Sequence, residues 1–268
     1  MYDISSILFH LRGYVKHGLL AYNSRGEGIH SPYLFTLVRM ITCDENGYYV
    51  WSDIERSRGR LLQDSTVLHV QDYGTGKSNS PDRRVCDIAK GSLECAKIAQ
   101  LFFRWIVFLS RNAKEPLEIV ELGTSLGVTT AYLALANRQN KVTTFEGSHA
   151  IGEYAQSVWQ GLGIDNIRLV EGDIDETLSG HLPAQVDFAF IDANHTQSAT
   201  MRYVQALLPH IHEKTVIFVD DIHHSLDMQQ AWETLKQLPQ VSSTMDFYRT
   251  GALFFDPHYL KRHYRLSI

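Results

Sequence analysis

Between Glu118 and Thr130 the chain reads Glu-Ile-Val-Glu-Leu-Gly-Thr-Ser-Leu-Gly-Val-Thr-Thr, and no other stretch constrains the fold as strongly. Apolar residues lead into an acid, a glycine turn breaks the run, and a helical pattern follows from Tyr132 to Asn137. That is the pattern of a strand, a tight turn and a helix N-terminus. Gly123 and Gly127 carry no Cβ, so a ligand can come close to the backbone. The helix beyond them offers unpaired N–H groups and a positive partial charge. Such a turn suits a nucleotide-like ligand.

Two common nucleotide loops fit this chain poorly. A dinucleotide fingerprint wants G-x-G-x-x-G, but Ser125 and Val128 occupy the second and third glycine positions. A phosphate loop wants G-x-x-x-x-G-K-[ST]; Gly76-Lys77-Ser78 is present, but its first glycine falls on Gln71.

From Leu117 onward the pattern alternates strand and helix, as a doubly wound α/β sheet requires. Strands are expected at 117–122, 141–146, 167–171, 186–191, 215–219, 241–247 and 251–255, the last two joined by a tight connection. Helices are expected at 126–137, 149–161, 174–181, 197–208 and 226–237. Residues 1 to about 92 read as a mainly helical extension, which divides the chain into 1–92 and a core domain, 93–268. Ile4 to Tyr22 has amphipathic spacing, and such a helix packs on the body or pairs with a second copy in a homodimer. Ser31-Pro32 starts a helix running to Ile41, with Ser31 as N-cap. Tyr48, Tyr49 and Trp51 form an aromatic knot, for packing or as a lid over a pocket. Helices are expected at 54–62, 83–89 and 93–110 and a short strand at 66–70. The polar segment Asp72 to Ser78 reads as a surface turn.

Composition narrows the partners. Over 268 residues the net charge is −5, which excludes the basic footprint of a nucleic-acid binder. The most apolar run, Leu101 to Leu109, is interrupted by Arg104 and is too short to span a membrane. Asp3 and the lack of a small-residue cleavage site argue against a secretory signal. The three cysteines are scattered without a C-x-x-C pair, which points to reduced thiols and a cytoplasmic location.

Glu121-Leu122-Gly123-x-x-x-Gly127-x-Thr129 resembles motif I of class I S-adenosylmethionine (SAM) methyltransferases, in particular the catechol-type small-molecule O-methyltransferases. In that family the second glycine of G-x-G is often replaced, as it is here by Ser125. The resemblance covers roughly the last 60% of the chain. It implies a Rossmann-like, mostly parallel sheet of seven strands in the order 3-2-1-4-5-7-6. It places SAM against Glu121, Gly123, Thr124, Ser125, Gly127 and Thr129. Glu146, at the end of the second strand, then takes the ribose hydroxyls, since a carboxylate accepts two hydrogen bonds at once. Gly147 and Ser148 lie beside it. Asp173 follows the third strand, either along the adenine ring or as the cap of the next helix.

The same resemblance gives meaning to two apolar strands that end in acid, Val186 to Asp192 and Val216 to Asp221. The family places an aspartate after strand four and Asp-Asn after strand five around a divalent cation. Asp192, Asp220 and Asp221 would be its ligands, and an all-oxygen set suits Mg²⁺, Ca²⁺ or Mn²⁺. This chain has Asp221 for the asparagine and His195 for the family's lysine, a D-x-x-H pattern found in another bacterial branch of class I methyltransferases. His195 and Asp192 are then the catalytic candidates, with His195 taking a proton from the acceptor. The implied activity is methyl transfer to a small molecule, with oxygen as the expected acceptor atom. The alternative is a non-catalytic SAM-binding module that works through its helical extension; a pure binder has no need of the acidic cluster.

Overall fold

The computed structural model describes residues 13–15, 17–21, 23–44, 46–71 and 80–268. Most of the expected first helix and the whole Asp72 to Ser78 turn lie outside those residues. Residues 13–15 and 17–20 are helical.

The chain divides into two compact units, residues 45–189 and residues 1–44 with 190–268. In the unit 45–189, helix α2 (Tyr49–Leu61; α1 is Pro32–Thr42) precedes an antiparallel pair, β1 (Val67–His69) and β2 (Asp82–Arg84). Then come α3 (Val85–Ser92) and α4 (Ala96–Asn112). The alternating part follows: β3 (Glu118–Leu122), α5 (Val128–Leu135), β4 (Lys141–Glu146), α6 (His149–Gly161), β5 (Ile167–Glu171) and α7 (Ile174–His181). β3, β4 and β5 are parallel, with Leu122 beside Phe145 and Glu146 beside Glu171. α5 is buried at every position, so it is a core helix and not an amphipathic surface one.

The division at 189 falls inside β6 (Phe188–Ile191). In the other unit, α1 begins as its sequence requires: Ser31 accepts from the Leu34 N–H and Pro32 sits in the first turn. After β6 come α8 (Gln197–Leu207), β7 (Val216–Val219), α9 (Leu226–Gln237), β8 (Ser243–Asp246), β9 (Gly251–Phe254) and β10 (Arg262–Arg265). β6 and β7 are buried throughout, the mark of strands covered on both faces.

The sheet is mixed and has eight strands, in the order β10-β8-β9-β7-β6-β3-β4-β5. Seven of them follow the expected order; β9 is antiparallel to both β7 and β8. The expected count of seven is corrected by β10, which adds parallel to β8 at the edge. Its sequence Arg-His-Tyr-Arg buries only Tyr264, so no apolar alternation announces it. α2 begins at Tyr49, five residues before the expected start, so Tyr49 and Trp51 are helical. Tyr48 and Trp51 pack on Phe103 of α4, with ring centroids 4.7 and 5.5 Å away, and Arg104 covers the Trp51 ring. The knot therefore serves as core packing, although Tyr49 itself is exposed. Residues 82–84, expected in part as helix, form β2. No helix among the described residues is long and apolar enough to cross a membrane.

Candidate cofactor cradle and acid–histidine cluster

In the unit 45–189 the turn after β3 is bound to β4. The N–H groups of Gly123 and Thr124 both donate to the Phe145 carbonyl, at 3.0 and 3.1 Å. Gly123, Ser125 and Gly127 all have left-handed backbone, with φ of 99°, 49° and 75°. Ser125 thus holds a left-handed conformation that glycine adopts freely, at a cost of about 1–2 kcal/mol. Its hydroxyl hydrogen-bonds that of Ser92 at the end of α3, 2.6 Å away. Gly127 is required for a second reason. A Cβ there would lie 2.4 Å from Trp159 Nε1, which donates to the Gly127 carbonyl at 2.8 Å. The space that glycine leaves open is filled by this α6 tryptophan and not by a ligand, a contact that the sequence spacing did not reveal.

Glu121 is completely buried beneath the turn. Its Oε2 accepts from the hydroxyls of Thr130 at 2.5 Å and Thr144 at 2.7 Å. Thr124 joins Thr144 at 2.6 Å, which extends the chain of hydroxyls. Glu121 Oε1 has no hydrogen-bond partner among the described residues, and neither has the buried Ser148 Oγ. Burial pushes the Glu121 carboxyl up to about 7, against the two threonine hydrogen bonds that favour its ionised form. The folded chain therefore holds a proton that the unfolded chain releases near 4.5. Stability from this group is present below about pH 4.5 and lost as pH rises through about 7, a swing on the order of 3 kcal/mol. Glu121→Gln should consequently gain stability over the parent at pH 8 and lose that advantage at pH 4.5. Thermal melts of both proteins at the two pH values measure it; a constant difference between them would show that Glu121 does not titrate on unfolding.

Glu146 is half-buried at the end of β4. Its Oε2 accepts from the Ser125 N–H at 2.9 Å and its Oε1 from the Ser148 N–H at 3.0 Å. One carboxylate thus ties the motif turn to the start of α6. Gly147 lies in the bend between the two, and Thr129 is buried in the first turn of α5. Asp173 caps α7, accepting from the Asp175 N–H at 2.9 Å. His149 Nδ1 lies 2.6 Å from Glu171 Oε2, and that hydrogen bond raises the pKa of its imidazole.

The second cluster lies in the unit 1–44 and 190–268. His195 stands between two carboxylates: its Nε2 is 3.4 Å from Asp192 Oδ1 and its Nδ1 3.8 Å from Asp221 Oδ2. Asp221 has φ 54°, and its Oδ2 is 3.9 Å from His224 Nδ1. Asp220 is buried, and the Arg249 guanidinium reaches both acids: Nε is 3.6 Å from Asp220 and 3.9 Å from Asp221. The expected metal ligands Asp192, Asp220 and Asp221 are met here by His195 and Arg249. Among the described residues no three His, Cys, Asp or Glu side chains are grouped so as to hold a metal ion. Arg249 supplies opposite charge at two of the three carboxylates, Asp220 and Asp221. Arg249 carried no signal in the sequence, because it sits in a turn 29 residues beyond Asp220.

Residues 120–222 match a family described as a methyltransferase domain. No curated protein matches the sequence. Solved structures with the same fold include an S-adenosylhomocysteine-bound methyltransferase of Podospora anserina. It is 15% identical, with 85% of this chain and 97% of that one covered, at a TM-score of 0.56. The O-methyltransferase TomG of Streptomyces achromogenes, in complex with SAM, is 17% identical over 78% of this chain and 91% of its own, at 0.53. An O-methyltransferase of Bacillus cereus, in complex with S-adenosylhomocysteine, is 15% identical over 78% and 92%, at 0.55.

Proposed function

We propose that this chain is a class I SAM-dependent methyltransferase that transfers the methyl group to an oxygen of a small-molecule acceptor, a reading supported by the methyltransferase-domain match over residues 120–222 and by the shared fold. The observation that carries the oxygen assignment is His195 held beside Asp192 and Asp221. A hydroxyl is a poor nucleophile until its proton is taken, and a histidine flanked by carboxylates is suited to accept one near neutral pH. The two comparison O-methyltransferases support the same chemistry.

The cradle fits SAM. Glu146 is a carboxylate at the end of β4, a group able to accept from a ribose diol, the turn brings Gly123, Thr124 and Ser125 to its rim, and among the described residues Glu121 Oε1 and Ser148 Oγ are buried polar atoms without hydrogen-bond partners. Asp173 caps its helix and borders the adenine side. SAM supplies an activated methyl carbon, so the chain has only to align the acceptor and remove its proton. His195 takes the proton, while Asp192 and Asp221 stabilise the imidazolium that results.

Glu146→Ala should weaken SAM binding by about 1.5–3 kcal/mol, the scale of hydrogen bonds to a charged group. Titration calorimetry with SAM, S-adenosylhomocysteine and NAD tests this: the first two bind the parent chain and NAD does not. Unchanged SAM affinity in the variant would remove Glu146 from the site. SAM binding without methyl transfer to any hydroxyl acceptor in a screened panel would favour the non-catalytic binding module.

A divalent cation is the second reading. Mg²⁺ at Asp192, Asp220 and Asp221 would have to displace Arg249 from the two acids, so in this proposal turnover survives EDTA. Loss of activity in chelator, restored by Mg²⁺, would reinstate the metal. The homodimer reading rests on Tyr14, Val15 and Leu19, exposed on the N-terminal helical residues; light scattering of the purified chain decides it.

A further inference from the structure

Three members of the acid–histidine cluster, Asp220, Asp221 and His224, sit on the segment 220–224 after β7, and a second group of ionisable side chains grips that segment from outside. Asp246, the last residue of β8, is buried at the centre of this group. Its Oδ2 lies 2.9 Å from His223 Nε2, and its Oδ1 and its carbonyl each lie 3.1 Å from His17 Nε2. Carboxylate and carbonyl oxygens only accept, so both histidines carry the proton on Nε2 and donate it. Burial alone would raise the pKa of the Asp246 carboxyl, but the two histidines hold it well below the usual range. The carboxylate is thus a two-sided acceptor, with the N-terminal helical residues on one side and the segment 220–224 on the other.

The turn that follows Asp246 adds further holds. The Tyr248 N–H donates to Asp246 Oδ1 at 2.8 Å, and the Tyr248 ring stacks on His223 with centroids 5.4 Å apart. Tyr248 adopts φ 72°, a conformation that a bulky residue keeps only when its surroundings impose it. Tyr14 and His17 flank the same ring at 5.3 and 5.5 Å. The Arg249 carbonyl accepts from the Ile222 N–H at 3.0 Å, and the Thr250 hydroxyl donates to the Val219 carbonyl at 3.0 Å. The β8–β9 turn is therefore bonded to Val219, just before the segment 220–224, and to Ile222 at its centre.

We propose that Asp246 is a positioning residue that couples the seating of the N-terminal helical residues, through His17, to the geometry of the segment bearing Asp220, Asp221 and His224. Its functional weight rests on the methyltransferase reading, in which Asp221 flanks the base. The bridge is short: one carboxylate separates a residue far outside the cluster from a residue two positions away from Asp221.

The test uses the full chain and hydrogen–deuterium exchange of the peptide spanning 220–224, with the ring ¹⁵N signals of His223 and His224 as a spectroscopic signature. His17→Phe removes the donor and keeps a ring; His17→Gln restores a donor at similar reach. In His17→Phe, exchange at 220–224 should rise about tenfold and both ring signals should move. In His17→Gln both readouts should return toward the parent values. Asp246→Asn should loosen the same peptide, and if it fails to fold the His17 pair still decides. Faster exchange confined to residues 13–20, with 220–224 and the ring signals unchanged, would overturn the proposal. So would an equal effect of the two His17 variants. SAM calorimetry on each protein separates the outcomes: loss of SAM binding in the parent would sink the methyltransferase reading, while exchange at 220–224 judges the coupling independently.

Discussion

His195→Gln should lower turnover by about 10²–10⁴-fold, the range for removal of a positioned general base. Glutamine keeps a polar amide of similar reach but cannot accept a proton near neutral pH. SAM affinity should stay close to that of the parent, because the ribose and turn contacts come from Glu146, Ser125 and Ser148. The measurement is methyl transfer to an identified acceptor, run beside SAM calorimetry. Turnover close to the parent level would make the contacts of His195 with Asp192 and Asp221 structural ones. A pH profile adds a check, since the acidic limb that reports the base should vanish with the imidazole.

The second large effect concerns stability. Gly127→Ala should cost about 2–5 kcal/mol, combining the left-handed backbone with overpacking of the core. The new methyl would have to displace Trp159, whose indole is buried and bonded to the same glycine's carbonyl. Gly163→Ala is the control. Its φ of 62° is also left-handed, but nothing lies within 4 Å of the added Cβ, so only the backbone cost of about 1–2 kcal/mol applies. Urea denaturation midpoints compare the two. Equal losses would show that Trp159 yields without cost and that the turn needs Gly127 for its backbone alone.

The first prediction rests on residues that the sequence had already singled out, and the second joins a legible residue, Gly127, to one that was not, Trp159. His195 was legible because D-x-x-H follows an apolar strand ending in acid, and Gly127 because a glycine turn separates a strand pattern from a helix pattern. For β4, α6, β5, α7 and α9 the expected boundaries agree with the observed ones, since each has a clear period and a polar or glycine break at both ends. The Ser31 cap and the Asp173 cap follow from local chemistry in the same way.

What stayed hidden was the choice of partner. The tight connection between the last two expected strands was legible, but with no glycine in it nothing marked the positive φ of Tyr248. β10 escaped because an edge strand covered on one side needs only one buried residue, Tyr264, and shows no alternation. Trp159 reached Gly127 from 32 residues away, Arg249 reached Asp220 from 29, and His17 reached Asp246 across 229. The sequence by itself determined the alternation of strands and helices after Leu117, the bounds of β4, α6, β5, α7 and α9, and which acids stand at strand ends, because those depend on period and on near neighbours. Only the tertiary structure decided what faces those acids, an arginine at Asp220 and Asp221 and two histidines at Asp246. Such pairings depend on which strands the sheet sets side by side, and a side chain's type does not encode the distant group that will neutralise it.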